Sequence, residues 1–405
     1  MKKSKVMAIC VFAVLCLFVS CQPRYLFYPV IPGNNNTQTS YTVTLDFNYE
    51  GSTSEVLENQ TMLIEPEDPN REGDYIFAGW YLNGQPVTEW GITLTSDVTL
   101  TAMWKTVYET IKDVPKLAAY FDGGENDSIK QGFSPNDAID YDGEGLIAIR
   151  EWIDLTTAFD FTIKGVEFLD GLSIHTSNTE SEITINVSDC VIHACDQVAI
   201  IAEGQSVRNR IDNSGEGLCL AFDTSSENNT DRKGVVIVAD NNKLIGKNDP
   251  TRERKGFGDW TLNEKNKKGR GNGISLGNQA GSTINLVSAT ISNNTFEGLQ
   301  GHAIQLYKIQ NGATVSISGN DFISWGVNST TYSTGLEDYA IRGDLDTADV
   351  NNDCVVLSNN TYASSMDVEG ETPVDLSQHK AAINYWNSEG SYPNFTYIPD
   401  DSKIQ

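Results

Sequence analysis

The sequence predicts an all-β protein: a small module of alternating strands, followed by a right-handed parallel β-helix built as a solenoid of stacked coils. Three observations carry this. One pattern recurs through residues 146–386: a short alternating strand, a Gly or Asn turn, an apolar residue, and a second short strand. Before it, "YTVTLDF" from Tyr41 and "DVTLTAMW" ending at Trp104 alternate apolar and polar residues, as half-buried strands do. The composition, 39% hydrophobic and 20% charged over 405 residues, suits a folded β-rich chain rather than a disordered one.

The first element is a leader. "MKKSKVMAICVFAVLCLFVSCQ" has a basic start (Lys2, Lys3, Lys5), an apolar run from Val6 to Val19, then Ser20 and Cys21. Residues 1–20 read as a secretory signal, too short and wrongly flanked to be a stable span. A small residue directly before a cysteine, after an apolar run, resembles the lipobox of bacterial lipoproteins, although Phe18 stands where leucine is usual. The resemblance implies that Cys21 is lipidated on sulfur and becomes the mature N-terminus. Its acyl chains, at ~0.8 kcal/mol per CH₂, would make the membrane a partner. The expected location is the bacterial cell envelope, at the surface or periplasmic face. Gln22, rather than aspartate, suggests the outer membrane.

Removing residues 1–20 takes away three lysines and no acid. The remaining 25 basic and 55 acidic residues leave a charge near −30, against −27 for the full chain. Such a surface repels phosphate backbones, so nucleic acid is not an expected partner. Four cysteines lie beyond Cys21: Cys190, Cys195, Cys219 and Cys354. Their spacing gives neither a disulfide framework nor a zinc ribbon. In "CVIHAC", Cys190 and His193 would point to opposite faces of a strand, so buried thiols are expected there rather than a chelate.

Residues 21–40 carry the cysteine and a linker with three prolines, a glycine and an asparagine run. Residues 41–105 then show the opening strand ending in Phe47, Arg71-Glu72-Gly73, the aromatic stretch Phe77 to Tyr81, an Asn83-Gly84 hairpin signal, and a close from Thr99 to Trp104. These residues resemble one Listeria–Bacteroides repeat, the B-repeat of internalin-type surface proteins. The resemblance implies a β-grasp-like module of the kind found on secreted bacterial proteins. Trp80, Tyr81 and Trp104 are expected to be its core, since a domain this small needs aromatics inside.

Residues 106–145 read as a junction and N-terminal cap, and residues 387–405 as a tail. Between them the second strands of the repeated pattern centre on Ile174, Ile200, Ile274, Ile304, Ile341 and Ile383, with a further coil expected near "EGLCLAF". A period that starts near 26 residues and stretches is that of a solenoid whose loops accept insertions. A single coil cannot bury its own apolar face, so the pattern must repeat. Asn294, Asn320 and Asn360 recur at the turn, where asparagine tolerates a left-handed backbone and stacked amides can bond along the axis. The pattern resembles the pectin-lyase-like β-helix superfamily over roughly residues 110–390, in its architecture rather than in any one enzyme family.

Many members of that superfamily cut acidic polysaccharides. The polygalacturonase-like set is not complete here: "NTD" (Asn229 to Asp231) and "GHA" (Gly301 to Ala303) occur, but no Asp-Asp pair lies between them, and "IRGD" is not Arg-x-Lys. Without paired carboxylates a glycosidic bond has no acid and base to flank it. No catalytic residue is therefore assigned, and His302 reads as a turn or coil-face residue. "GDLDTADVNND" offers Asp344, Asp346 and Asp349 as weak calcium candidates but lacks the glycine and glutamate of an EF-hand. No other cofactor is implied. Residues 247–271 hold eight basic residues against four acids, with aromatics between them. Arg252, Arg254, Phe257, Trp260, Lys267, Lys268 and Arg270 are the candidate ligand contacts, since arginine forks and aromatic faces suit carboxylated sugars. The expected function is a cell-surface lipoprotein whose β-helix binds or adheres, to polysaccharide or to another surface protein. Two alternatives stand beside it: a polysaccharide lyase or glycoside hydrolase with an atypical site, and a structural envelope component.

Overall fold

A computed structural model describes residues 39–121, 132–176, 181–194, 218–223, 234–246, 272–277, 286–299, 302–309, 312–325, 339–345, 355–366, 374–375, 380–385 and 396–398. Its regular structure is almost all strand, in two architectures.

The first is a four-stranded sheet in the order Glu55–Gln60, Tyr41–Asp46, Val98–Tyr108, Tyr75–Leu82. Its two middle strands run parallel and the outer pairings are antiparallel. The alternation of "YTVTLDF" puts Val43 and Leu45 inside, where they join Trp80, Leu100, Ala102 and Trp104. Phe77 sits edge-on to both Trp80 and Trp104, and the Trp104 indole donates to the Phe47 carbonyl at 2.8 Å. These tryptophans are core, while Tyr81 is half-buried. Asn83 and Gly84 both take positive φ (53° and 79°), the turn that lets Tyr75–Leu82 fold back onto Gln85–Pro86.

The strand Val98–Tyr108 does not stop at the edge of this module. Thr106, Val107 and Tyr108 pair in parallel with Ile147, Ala148 and Ile149, the end of the strand Ile139–Ile149. One strand therefore serves two cores. After it, Ile111, Val114, Leu117 and Phe121, around two short 3₁₀ turns, are buried in the solenoid's cluster rather than the module's.

The second architecture is a parallel β-helix with three strand-bearing faces. On the first face, Phe161–Phe168, Ile183–Ser188, Val235–Asp240, Leu286–Ser292, Thr314–Ser318 and Val355–Ser358 stack in parallel. On the second, Val191–His193, Lys243–Ile245, Thr295–Glu297, Asp321–Phe322 and Thr361–Tyr362 do the same. The third face runs from Gly132–Phe133 through Ile153–Thr157, Leu172–Thr176, Leu218–Asp223, Asn272–Leu276, Ile304–Ile309 and Ile341–Leu345 to Ala381–Tyr385. Thr396–Ile398 closes that edge in antiparallel. Stacking has already begun at Ile139, within the stretch 106–145.

Leu172–Thr176 pairs directly with Leu218–Asp223, the strand at "LCLAF", while the strand expected around Ile200 lies outside the described residues. The isoleucines that centre the second strands fall in two registers. Leu172, Leu220, Ile274, Ile304, Ile341 and Ala381 form one inward row, while Ile174, Phe222, Leu276 and Leu306 form the other, in register with Gly343 and Ile383.

The turn between the first two faces uses its two residues differently. The leading residue takes the left-handed backbone at Asp189, Asn241, Asn293, Gly319 and Asn359, with φ between 53° and 65°. The next residue points inward, at Cys190, Asn242, Asn294, Asn320 and Asn360. Asn294 Oδ1 accepts from the Asn242 amide (2.9 Å) and its side-chain NH₂ (3.0 Å), while Asn294 Nδ2 donates to the Ala239 carbonyl at 2.9 Å. Asn320 repeats the arrangement beneath Asn294, and Asn360 beneath Asn320. Cys190 begins the column, its amide donating to Asn242 Oδ1 at 3.0 Å. Beside the column Phe296, Phe322 and Tyr362 stack face to face at 4.9 Å. The left-handed residue is thus the one before the buried asparagine.

This division of labour gives a test. Asn294→Ala orphans the Asn242 amide and the Ala239 carbonyl, each costing about 1–3 kcal/mol when buried, and should lower the solenoid's Tm. Asn293→Gly, a residue already used at the equivalent Gly319, should be near neutral. Equal melting of the two variants would show that the column does not carry the turn.

Candidate functional site

The two inward rows of the third face define what lies between them. The described outward residues there are Asp154, Ser173, Ser275, Gln305 and Arg342, in a register that runs on through positions 221 and 382. Successive parallel strands are spaced at ~4.8 Å, so this is a straight stripe along the solenoid axis. The stripe is mostly polar, yet Ser173 is 1% exposed, Ser275 2% and Gln305 4%. Outward polar groups recessed to this degree are not an ordinary solvated surface.

Two histidines flank the stripe. His175 Nε2 stands 2.8 Å from Asp154 Oδ1, close enough for strong attraction though not aligned as an N–H···O bond. His302, 6% exposed, leads into the strand Ile304–Ile309. Its Nδ1 lies 3.0 Å from the Tyr339 amide and 3.2 Å from the Tyr339 carbonyl, and its Nε2 3.5 Å from Arg342 Nη1. Burial, and then the Arg342 charge, push the imidazole down to about 3 against the weaker pull of the Tyr339 backbone. His302 is therefore a buried neutral ring at the foot of the stripe, while the arginine it faces is half-buried.

A separate polar cluster sits where the two modules meet. Lys105 Nζ donates to Glu167 Oε2 at 2.7 Å, and His193 Nε2 lies 2.8 Å from Glu167 Oε1. Burial would raise the carboxyl, but the bonds from His193 and Lys105 and the lysine's charge outweigh it and hold Glu167 down at about 2. Cys190 lies on the other side of this wall, its thiol pushed up to about 12 by burial, so Cys190 and His193 do not share a site. Cys219 is buried too. Among the described residues no group of three or more His, Cys, Asp or Glu side chains is placed to hold a metal ion.

Most residues singled out in the sequence fall elsewhere. Cys21, the contacts Arg252, Arg254, Phe257, Trp260, Lys267, Lys268 and Arg270, and the calcium candidates Asp346 and Asp349 lie outside the described residues, as do Cys195 and Cys354. Asp344 is on the strand Ile341–Leu345, in register with Asn384. The stripe was missed because its members share no residue type. A signal did exist: each sits between two inward apolar residues of a third-face strand, legible once the two rows are aligned.

The buried ring makes acid stability diagnostic. His302 binds a proton in the unfolded chain near its ordinary 6.5 but in the folded protein only near 3. Its stabilising contribution is complete above 6.5 and is lost as pH falls from there toward 3. Glu167, ordinarily near 4.5 and held at about 2, adds its loss only below 4.5. In urea unfolding across pH, His302→Gln should flatten the fall between 6.5 and 4.5 and leave the steeper fall below it. An unchanged slope would mean that the ring is not buried neutral.

Among known families, residues 41–103 match the family model of the Listeria-Bacteroides repeat domain, which covers the first module. No curated protein and no solved structure matched the chain.

Proposed function

We propose that this protein is a lipoprotein, held at the bacterial envelope through Cys21, whose solenoid binds a linear polysaccharide along the stripe of the third face. The observation that carries the reading is that the same register position of the third-face strands is polar in five coils, at Asp154, Ser173, Ser275, Gln305 and Arg342. A floor that repeats at ~4.8 Å suits a ligand that itself repeats, because each sugar can meet an equivalent set of donors and acceptors. A Listeria-Bacteroides repeat at the head of the chain supports a place at the cell surface. The basic stretch 247–271 would add forks for acidic sugars, with Arg252, Arg254 and Arg270 beside Phe257 and Trp260. Asp344, Asp346 and Asp349 would be the carboxylates for a calcium ion, should one bind.

One observation favours catalysis as the rival. Asp154 and His175, paired at 2.8 Å on the same face, are a carboxylate and an imidazole able to move a proton.

A single array of neutral and acidic glycans, read both for bound protein and for released fragments, separates the two. Binding without fragments, weakened at least about tenfold by Gln305→Ala at unchanged Tm, is the expected result. Fragments that disappear in His175→Ala would establish the enzyme instead. No retention of any glycan would end the carbohydrate reading. On cells, Cys21→Ser should lose the acyl label and leave the membrane fraction; an unchanged distribution would refute the anchor.

A further inference from the structure

The first module holds a second recess, unconnected with the stripe. A cavity of about 440 Å³ opens at the end of its sheet, between the strands Tyr41–Asp46 and Glu55–Gln60 and the segment 66–70. Its floor is apolar and aromatic, with Leu45, Leu57, Phe47 and Tyr49. Its rim is acidic: Glu55, Glu67 and Asp68 are all exposed, and none is in an ion pair or side-chain hydrogen bond among the described residues. Arg71, next to the rim, lies with its guanidinium 3.3 Å from the centre of the Tyr75 ring and 5.3 Å from that of Tyr49, so one cation already borders the recess beside its three carboxylates.

The same corner of the module has an open sheet edge. Glu55–Gln60 pairs on one side with Tyr41–Asp46 and on the other with no strand among the described residues. An unpaired edge is a row of backbone donors and acceptors at strand spacing, which only another polypeptide strand can match along its length. Glu55 and Leu57, two apart on that strand, point into the recess, so a strand added at the edge would lie beside the pocket. The edge thus favours a peptide over a sugar, and the rim decides its charge.

We propose that this corner docks an extended, cationic segment of a partner protein. The segment adds as a strand to Glu55–Gln60 and places a lysine or arginine side chain over the Phe47 and Tyr49 floor, its charge among Glu55, Glu67 and Asp68. A second copy of this chain is disfavoured as occupant, because two bodies of charge −27 repel one another and each would bring an acidic edge. Attraction of this kind is long-ranged and salt-sensitive, and it selects against acidic partners.

The test uses the full chain and a short peptide alternating lysine and valine, long enough to cover the six residues of Glu55–Gln60. Two comparison peptides go with it, one with glutamate in place of lysine and one with the same Lys-Val sequence N-methylated on alternate residues, and a neutral oligosaccharide serves as the sugar control. The Lys-Val peptide should bind, shift the amide signals of Glu55–Gln60, and weaken as salt rises. Glu67→Lys combined with Asp68→Lys, both on the exposed rim, should reduce affinity by about tenfold or more without lowering Tm. The glutamate and N-methylated peptides should not bind. Equal binding of the N-methylated peptide would overturn strand addition. Equal affinity in the charge-reversed variant would overturn the acidic pocket. Occupation of the recess by the oligosaccharide, or no binding of the Lys-Val peptide at all, would overturn the proposal and leave the glycan stripe untouched.

Discussion

The structure depends on the buried asparagine column. A backbone that turns sharply between two strands leaves polar groups facing an apolar interior, where each must find a partner. Asn242, Asn294 and Asn320 solve this coil by coil, each accepting from the amide of the coil before and donating to a carbonyl at the end of that coil's first-face strand. Because every bond in the column spans two coils, it fixes their vertical register as well as satisfying the turn. The stack of Phe296, Phe322 and Tyr362 beside it and the inward rows of the third face follow from that register. So does the straightness of the polar stripe: a slip of one residue in any coil would turn its polar group inward and an isoleucine outward.

A solenoid built this way has exposed ends, and its first end is closed by the module that precedes it. The strand Val98–Tyr108 leaves the module's core and continues as a neighbour of Ile139–Ile149, while Ile111, Leu117 and Phe121 fill the space beneath. Lys105, Glu167 and His193 bridge the seam in a half-buried cluster whose carboxylate is strongly favoured in its charged form. The Listeria-Bacteroides repeat is therefore part of the solenoid's architecture. Its recess and the edge that is unpaired among the described residues lie at the strand farthest from Val98–Tyr108 on that side.

Much of this was legible in the sequence, for a physical reason in each case. Alternation revealed the strands of residues 41–105 because a half-buried strand has period two. The recurring "N-N/D-x-aromatic" marked the turn because few residues accept a left-handed backbone and a buried amide in succession. What was not legible was register. Ile174 and Ile304 look equivalent in a list of second strands, yet they sit in different inward rows, and only the pairing of Ile174 with Phe222 shows it. The stripe was hidden for the same reason, since serine, glutamine and arginine share no pattern until their rows are aligned. Cys190 was read as a buried thiol, but nothing nearby signalled that it stands at the head of the asparagine column. His302 was recognisable as a turn-side residue, whereas its neutrality comes first from burial and then from Arg342, forty residues later and one coil on.

The central claim is that the column locks the coils into one registered stack, and amide hydrogen exchange tests it most directly. The amides of Cys190, Asn242, Asn294 and Asn320, each bonded to the next asparagine side chain, should exchange together and only through global unfolding of the solenoid. Exchange that is fast at these four amides, or that differs widely among them while the flanking strands stay protected, would contradict the account.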